Sequence, residues 1–202
     1  MAKKAAAKSA NPREHVIEVA LRLAAERGWA GLALSDIAAA AKLTLADLYA
    51  SYPSKTAILV ALSREVDRQV LVGFAPNPEE STRDRLFDLI MKRFDALAPH
   101  RTGLEAVARD VGRDPLSAMY SLGQLARSMA LILEAAGVSS SGLRGALRTN
   151  GLGTIYLATM RDWFRDESTD KARTMAALDA RLRRAESWAQ RLGRRARSGG
   201  AS

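Results

Sequence analysis

Three short helical patterns are packed into residues 13–59, and that brevity constrains the fold more than any other feature of the chain. The segment reads REHVIEVALRLAAERGWAGLALSDIAAAAKLTLADLYASYPSKTAIL. Isolated helices of two turns are marginal in water, so such pieces form only when they pack on one another at fixed angles. A helix-turn-helix has that property: one short helix is braced by two others so that it can enter a DNA groove.

The boundaries follow from local chemistry. Asn11-Pro12 offers a cap and a first-turn proline, and Val16, Val19, Ala20, Leu23 and Ala24 recur at helical spacing as far as Arg27. Gly28 ends this first helix. Ser35 is expected to cap a second, with Ile37, Ala38 and Ala41 turned inward. Thr44 is expected to cap a third over Leu45 to Ser51. Pro53 closes the third, and Ser54 caps a longer fourth through Ile58, Leu59, Leu62, Val66 and Val70. Pro76, Asn77 and Pro78 mark a linker. Further helical patterns cover about 81–98, 101–112, 114–136, 142–165 and 169–191. No alternating strand pattern is present, so the expected class is all-α. The expected division is a basic arm at 1–11, a helix-turn-helix domain at 12–60, a helical ligand-binding and dimerisation domain at 61–191, and a disordered basic tail at 192–202.

Charge places the basic residues outside the helix-turn-helix. The net charge is +9, of which Lys3, Lys4 and Lys8 near the start and Arg191, Arg194, Arg195 and Arg197 near the end supply seven. Residues 12–70 carry seven basic and seven acidic side chains and are neutral. Terminal cations of this kind suit either phosphate binding without sequence reading or a solubilising tail. With no cysteine, disulfides, thiolate nucleophiles and cysteine-bound metals are excluded. The two histidines, His15 and His100, do not make a metal cage, and no Ser–His–Asp set or phosphate-binding glycine loop occurs. The expectation is a non-enzymatic protein with no cofactor and no metal. The start MAKKAAAKSAN lacks the apolar core of a secretory signal, and no apolar run reaches bilayer length, so a soluble cytoplasmic protein is expected.

The pattern of Gly28, Leu34, Asp36-Ile37-Ala38, Ala41, Leu43-Thr44, Leu48-Tyr49, Tyr52, Pro53-Ser54-Lys55 and Ile58-Leu59 resembles the TetR family of transcriptional regulators. The resemblance covers residues 13–59. It implies double-stranded DNA as a partner, a homodimer, and a divergent helical C-terminal domain for a hydrophobic or amphipathic small ligand. Thr44, Tyr49 and Lys55 fall on positions that usually meet the phosphate backbone, and Lys42 adds a further candidate. Leu45, Ala46, Asp47, Ala50 and Ser51 fall where base readers usually sit. None of these five is Arg, Lys, Asn or Gln, and Asp47 brings a negative charge towards phosphate. Lys42 replaces the glycine usual in the turn, at a cost of roughly 1 kcal/mol for positive φ.

Leu143 to Glu186, with Ile155-Tyr156-Leu157-Ala158, Trp163, Asp166, Ser168, Asp170, Thr174-Met175 and Leu178-Asp179, is similar to the lipid-binding accessory proteins of ubiquinone biosynthesis. That likeness implies an alternative function: a non-enzymatic lipid-binding protein of TetR-like fold, with peripheral membrane contact through its last helix. For the ligand pocket the expected wall is Phe87, Met91, Met119, Tyr120, Met129 and Leu133, since flexible methionines adapt to oily ligands. In the last helix Lys171, Met175, Leu178, Leu182, Ala185 and Ala189 form one stripe, which suits an intrachain core or a partner subunit. The expected dimer contacts are Leu152, Ile155, Tyr156, Met175, Leu178 and Leu182.

Overall fold

The computed structural model describes residues 12–113 and 115–198, and among them every regular element is helical. The helices are α1 (Pro12–Arg27), α2 (Leu34–Ala40), α3 (Leu45–Ser51), α4 (Lys55–Leu71), α5 (Thr82–Leu97), α6 (Arg101–Val111), α7 (Pro115–Ala135), α8 (Gly142–Phe164) and α9 (Ala172–Ser198). A 3-10 turn at Ala98–His100 precedes α6. Lys3, Lys4 and Lys8 lie outside the described residues. The chain forms two compact units, residues 1–66 with 97–124, and 67–96 with 125–202. This differs from a division at residue 60: the stretch 97–124 joins the N-terminal helices, because α6 packs along α1.

In the first unit, α1 buries Val16, Val19, Ala20, Leu23 and Ala24, the stripe its spacing predicts. Gly28 takes φ +80°, and its N–H still donates to the Ala24 carbonyl at 2.9 Å, so the helix closes where glycine alone is unstrained. Ser35 does not cap α2. The helix starts two residues earlier than a Ser35 cap requires, and the Asp36 carboxylate reaches back to accept from the Ala33 N–H at 2.8 Å. A carboxylate in the first turn also suits the helix dipole. α6 lies close enough to α1 that a Cβ on Gly103 would stand 2.3 Å from the Leu21 carbonyl oxygen. Only glycine permits that approach.

The second unit is built around aromatic and aliphatic side chains from α5, α7, α8 and α9. Leu89, Ile90, Phe94, Met129, Ile132, Leu133, Leu152, Tyr156, Trp163, Leu178 and Leu182 are buried. The Phe94 ring stacks on Tyr156 at 5.2 Å and tilts against Trp163 at 5.4 Å. Burying an aromatic side chain of this size is worth about 1.5–3 kcal/mol. One charged cluster sits inside this apolar surround. Arg93, only 4% exposed, pairs with Asp67, and its Nε donates to the Tyr156 hydroxyl at 3.2 Å. The Ser128 hydroxyl donates to the other Asp67 oxygen at 2.7 Å.

The last helix is longer than the sequence pattern predicts, running to Ser198 rather than to 191. Its start is set by Asp166, which accepts from the Thr174 N–H at 2.7 Å, from the Thr174 hydroxyl, and from Ser168. Burial works to raise the pKa of this carboxyl, but the Ser168 and Thr174 donors outweigh it and hold the group well below the usual carboxylate range.

Candidate nucleic-acid interface

Thr44 sets the geometry of the third helix. Its backbone is extended, and its side-chain oxygen accepts from the Asp47 N–H at 3.1 Å, as an N-cap should. The same hydroxyl donates to the Asp47 carboxylate at 2.6 Å. Asp47 therefore belongs to the cap, and the Thr44 hydroxyl is already engaged. Lys42 makes the turn into α3 in the left-handed region, at φ +58°. Leu43 N–H donates to the Ala38 carbonyl at 2.9 Å and Lys42 N–H to Ala39 at 3.2 Å, the paired bonds of a Schellman ending. Lysine here does glycine's work with its side chain still exposed.

α3 turns one residue inward and the rest outward. Leu48 is 1% exposed and roots α3, which packs on α2, whereas Leu45 and Tyr49 are 50% and 59% exposed. Ala46, Asp47, Ala50 and Ser51 share the open side. The five positions expected to face bases thus form one exposed surface with Tyr49, and Lys42 stands beside its start. The surface offers methyl and aromatic contact, one phenol and one carboxylate, but no guanidinium or amide for bidentate base contacts.

Tyr52 and Lys55 are drawn into the unit. The Tyr52 hydroxyl donates to the Arg13 carbonyl at 3.2 Å, tying the end of α3 to the start of α1, and burial raises its pKa. Lys55, expected at the phosphate backbone, points elsewhere. Its Nζ donates to the Trp29 and Ala30 carbonyls at 2.7 and 3.3 Å and lies 5.3 Å from the centre of the Trp29 ring. The reason is that α1 ends in a tight turn whose carbonyls need donors, and an ammonium at the first position of α4 reaches them. Burial lowers the Lys55 pKa, opposed by Asp110 and Asp36.

The N–H groups of that turn go to a residue the sequence reading did not single out. Asp110, near the end of α6, accepts from the Trp29 and Ala30 N–H groups at 2.7 and 2.9 Å. The Ala30 bond is the main cause of its lowered pKa, with the Trp29 bond adding to it and burial opposing. Eighty residues separate donor and acceptor, so no local pattern signals the contact.

The remaining candidates divide. Met129 and Leu133 are buried in the second unit, and Phe87 and Met91 are half-buried there. Met119 and Tyr120, expected on the same pocket wall, are 67% and 51% exposed and belong to the first unit. The expected dimer contacts are corrected as well: Leu152, Tyr156, Leu178 and Leu182 are interior residues of this chain, since α8 packs on α9 and consumes the stripe. Ile155 and Met175 stay half-exposed, and Ala185 and Ala189 extend the stripe into the open. Among the described residues no cluster of His, Asp or Glu could hold a metal, and no helix is long and apolar enough to cross a membrane.

Comparison with known proteins matches this geometry. The profile of the bacterial regulatory proteins of the TetR family matches residues 16–62. Uncharacterized HTH-type transcriptional regulators of Mycobacterium bovis and Mycobacterium tuberculosis are each 34% identical over 108 residues. That aligned stretch covers 52% of this chain, and the chain spans about half the length of these relatives, 51%. A TetR transcriptional regulator from Nitrosomonas europaea superposes with a TM-score of 0.70 at 26% identity, covering 87% of this chain and 98% of that one. Thermus thermophilus FadR, a TetR-family repressor in complex with lauroyl-CoA, shares the fold at a TM-score of 0.52 and 22% identity, over 85% of this chain and 91% of its own. The TetR-family profile thus covers the N-terminal helices, and the helical chain as a whole is similar in architecture to TetR-family regulators.

Proposed function

We propose that this protein is a homodimeric DNA-binding transcriptional regulator that answers to a hydrophobic or amphipathic small ligand. The observation that carries the reading is the orientation of α3: Leu48 anchors it, while Leu45, Tyr49 and their neighbours remain exposed. Two such helices about 34 Å apart reach successive major grooves on one side of a duplex. Because α3 holds no basic residue, affinity rests on phosphate contacts from Lys42, Tyr49 and the Lys3–Lys8 arm, with helix N-terminal amides assisting. Lys55, occupied at the α1–α2 turn, acts by bracing the unit.

For the dimer, the surface left open is the outer side of α8, where Leu143, Leu147 and Leu157 are 89%, 71% and 37% exposed along one face. A self-complementary apolar face of this kind suits a two-fold interface. The ligand class is supported by the oily second unit and by the lauroyl-CoA held by the Thermus thermophilus neighbour. Ligand binding would then favour one spacing of the two DNA-binding units over another.

The test is binding of the purified protein to its own upstream DNA at two salt concentrations. Steep salt dependence with modest base selectivity is expected, and a log-affinity slope near zero against log salt refutes the reading. The zero net charge of residues 12–70 and the 67% exposure of Trp188 on the arginine-rich end of α9 favour a second reading, a lipid-binding accessory protein. It requires lipid to co-purify, visible by native mass spectrometry, and no DNA binding.

A further inference from the structure

The turn between α1 and α2 is a hub with partners from two other helices. Its N–H groups, on Trp29 and Ala30, are taken by Asp110 of α6. Its carbonyls, on the same two residues, are taken by Lys55 at the first position of α4. Trp29 itself is buried, and Gly28 beside it needs positive φ, so the turn has little freedom to relax if either partner leaves. Lys55 follows α3 by only Tyr52, Pro53 and Ser54, and Tyr52 is tied back to α1. A change at the turn therefore reaches the C-terminal end of α3 through three residues. α6, in turn, is held against α1 at Gly103 with no room for a methyl group, so sliding α6 along α1 moves Asp110 with it.

We propose that Asp110 is a positioning residue for the DNA-contacting helix: with Lys55 it fixes the α1–α2 turn, and so makes the pose of α3 depend on where α6 lies. α6 is then a working part of the DNA-binding unit although it stands some fifty residues after it in sequence. Rotation or sliding of α6 by more than the slack of a hydrogen bond, about 0.5 Å, breaks both bonds from the turn to Asp110 together. Lys55 then faces carbonyls on a turn that has lost its opposite anchor. This inference rests on the DNA-binding reading above and adds the residue that sets the geometry of the contact.

The experiment compares wild type with Asp110→Ala, Asp110→Asn and Asp166→Ala, well below their melting temperatures and at equal folded fraction by circular dichroism. Asp166 is the control: it too accepts backbone N–H bonds, but at the start of α9 in the other unit. Each variant is titrated with the upstream fragment and with a scrambled duplex of equal length. Exchange of the Trp29 and Ala30 amide protons is followed by NMR. Asp110→Ala should speed exchange at both amides and weaken upstream binding about tenfold, while scrambled binding changes less than about twofold. Asp110→Asn, whose amide oxygen still accepts, should recover most of the upstream affinity, and Asp166→Ala should leave the ratio of the two affinities at the wild-type value. A merely structural Asp110 would, at equal folded fraction, leave both affinities unchanged or lower both by the same factor, and either result overturns the inference, as does an unchanged ratio despite fast amide exchange. If wild type itself does not prefer the upstream fragment, the function reading fails first and the positioning role falls with it.

Discussion

Removing Asp67 should unbalance the second unit. Arg93 is 4% exposed, its pairing carboxylate comes from α4, and the surrounding side chains are Phe94, Tyr156 and other apolar groups. Asp67→Ala deletes the anion that pairs with the buried Arg93 guanidinium, and with it the carboxylate oxygen that accepts from the Ser128 hydroxyl at 2.7 Å. Breaking a buried pair from one side costs about 3–5 kcal/mol. Arg93→Met should cost less, about 1–2 kcal/mol, because Asp67 keeps the Ser128 donor and its side chain, 15% exposed, can rehydrate. The double variant Asp67→Ala with Arg93→Met removes the guanidinium along with its carboxylate and should be more stable than Asp67→Ala alone. Trp163, 1% exposed in the same unit, reports unfolding by fluorescence once Trp29→Phe and Trp188→Phe remove the other two signals. At a urea m-value of about 2 kcal/mol/M, the Asp67→Ala midpoint should fall by about 1.5–2.5 M. A loss under about 1 kcal/mol, or a double variant whose cost is the sum of the singles, would refute the argument.

Asp47→Asn keeps an acceptor for Thr44 while removing one negative charge from each α3, and a unit charge about 8 Å from a phosphate in water is worth about 0.5 kcal/mol. Summed over nearby phosphates and two subunits, this should tighten DNA binding about three- to tenfold at low salt, fading at high salt as screening grows; equal affinity at low salt by fluorescence anisotropy contradicts it. Gly103→Ala puts a methyl group 2.3 Å from the Leu21 carbonyl oxygen, so α6 must move off α1 at a cost of about 1–3 kcal/mol. Thermal melting checks the cost, and an unchanged melting temperature would refute so close an approach of α6 to α1. Asp166 has a folded-state pKa held below the usual carboxylate range, so its contribution is complete above an unfolded pKa of about 3.9 and is lost as pH falls below it. Asp166→Asn should accordingly flatten the acid limb of the stability curve below about pH 4, and a limb as steep as wild type would show that other carboxylates cause it.

What the sequence discloses is what local chemistry controls. α3 was legible to the residue, because Thr44 can cap, Pro53 cannot continue the helix, and Leu48 is the one side chain between them spaced to face inward. Lys42 in the left-handed region was legible too, since the turn demands positive φ whatever residue occupies it. The failures have one source. Ser35 has the right chemistry for a cap, but Asp36 can do the same from inside the helix, and propensity does not rank two competent neighbours. The stripe Leu178–Leu182 reads equally as a core or as an interface, because periodicity shows that a face is apolar without showing what covers it. Lys55 sits on a position that suits a phosphate, yet the carbonyls of Trp29 and Ala30 lie closer, and only the fold brings them there. Asp110 carried no signal at all: a lone carboxylate in an amphipathic helix looks like a solvated residue until its donors arrive from eighty positions away. The pattern is consistent across these cases. Elements are written in spacing and caps, whereas the partners that hold one element against another are chosen among chemically equivalent candidates by long-range packing. For this protein that places the exposed face of α3 within reach of sequence reasoning and leaves its bracing, the Asp110–turn–Lys55 arrangement, to the three-dimensional structure.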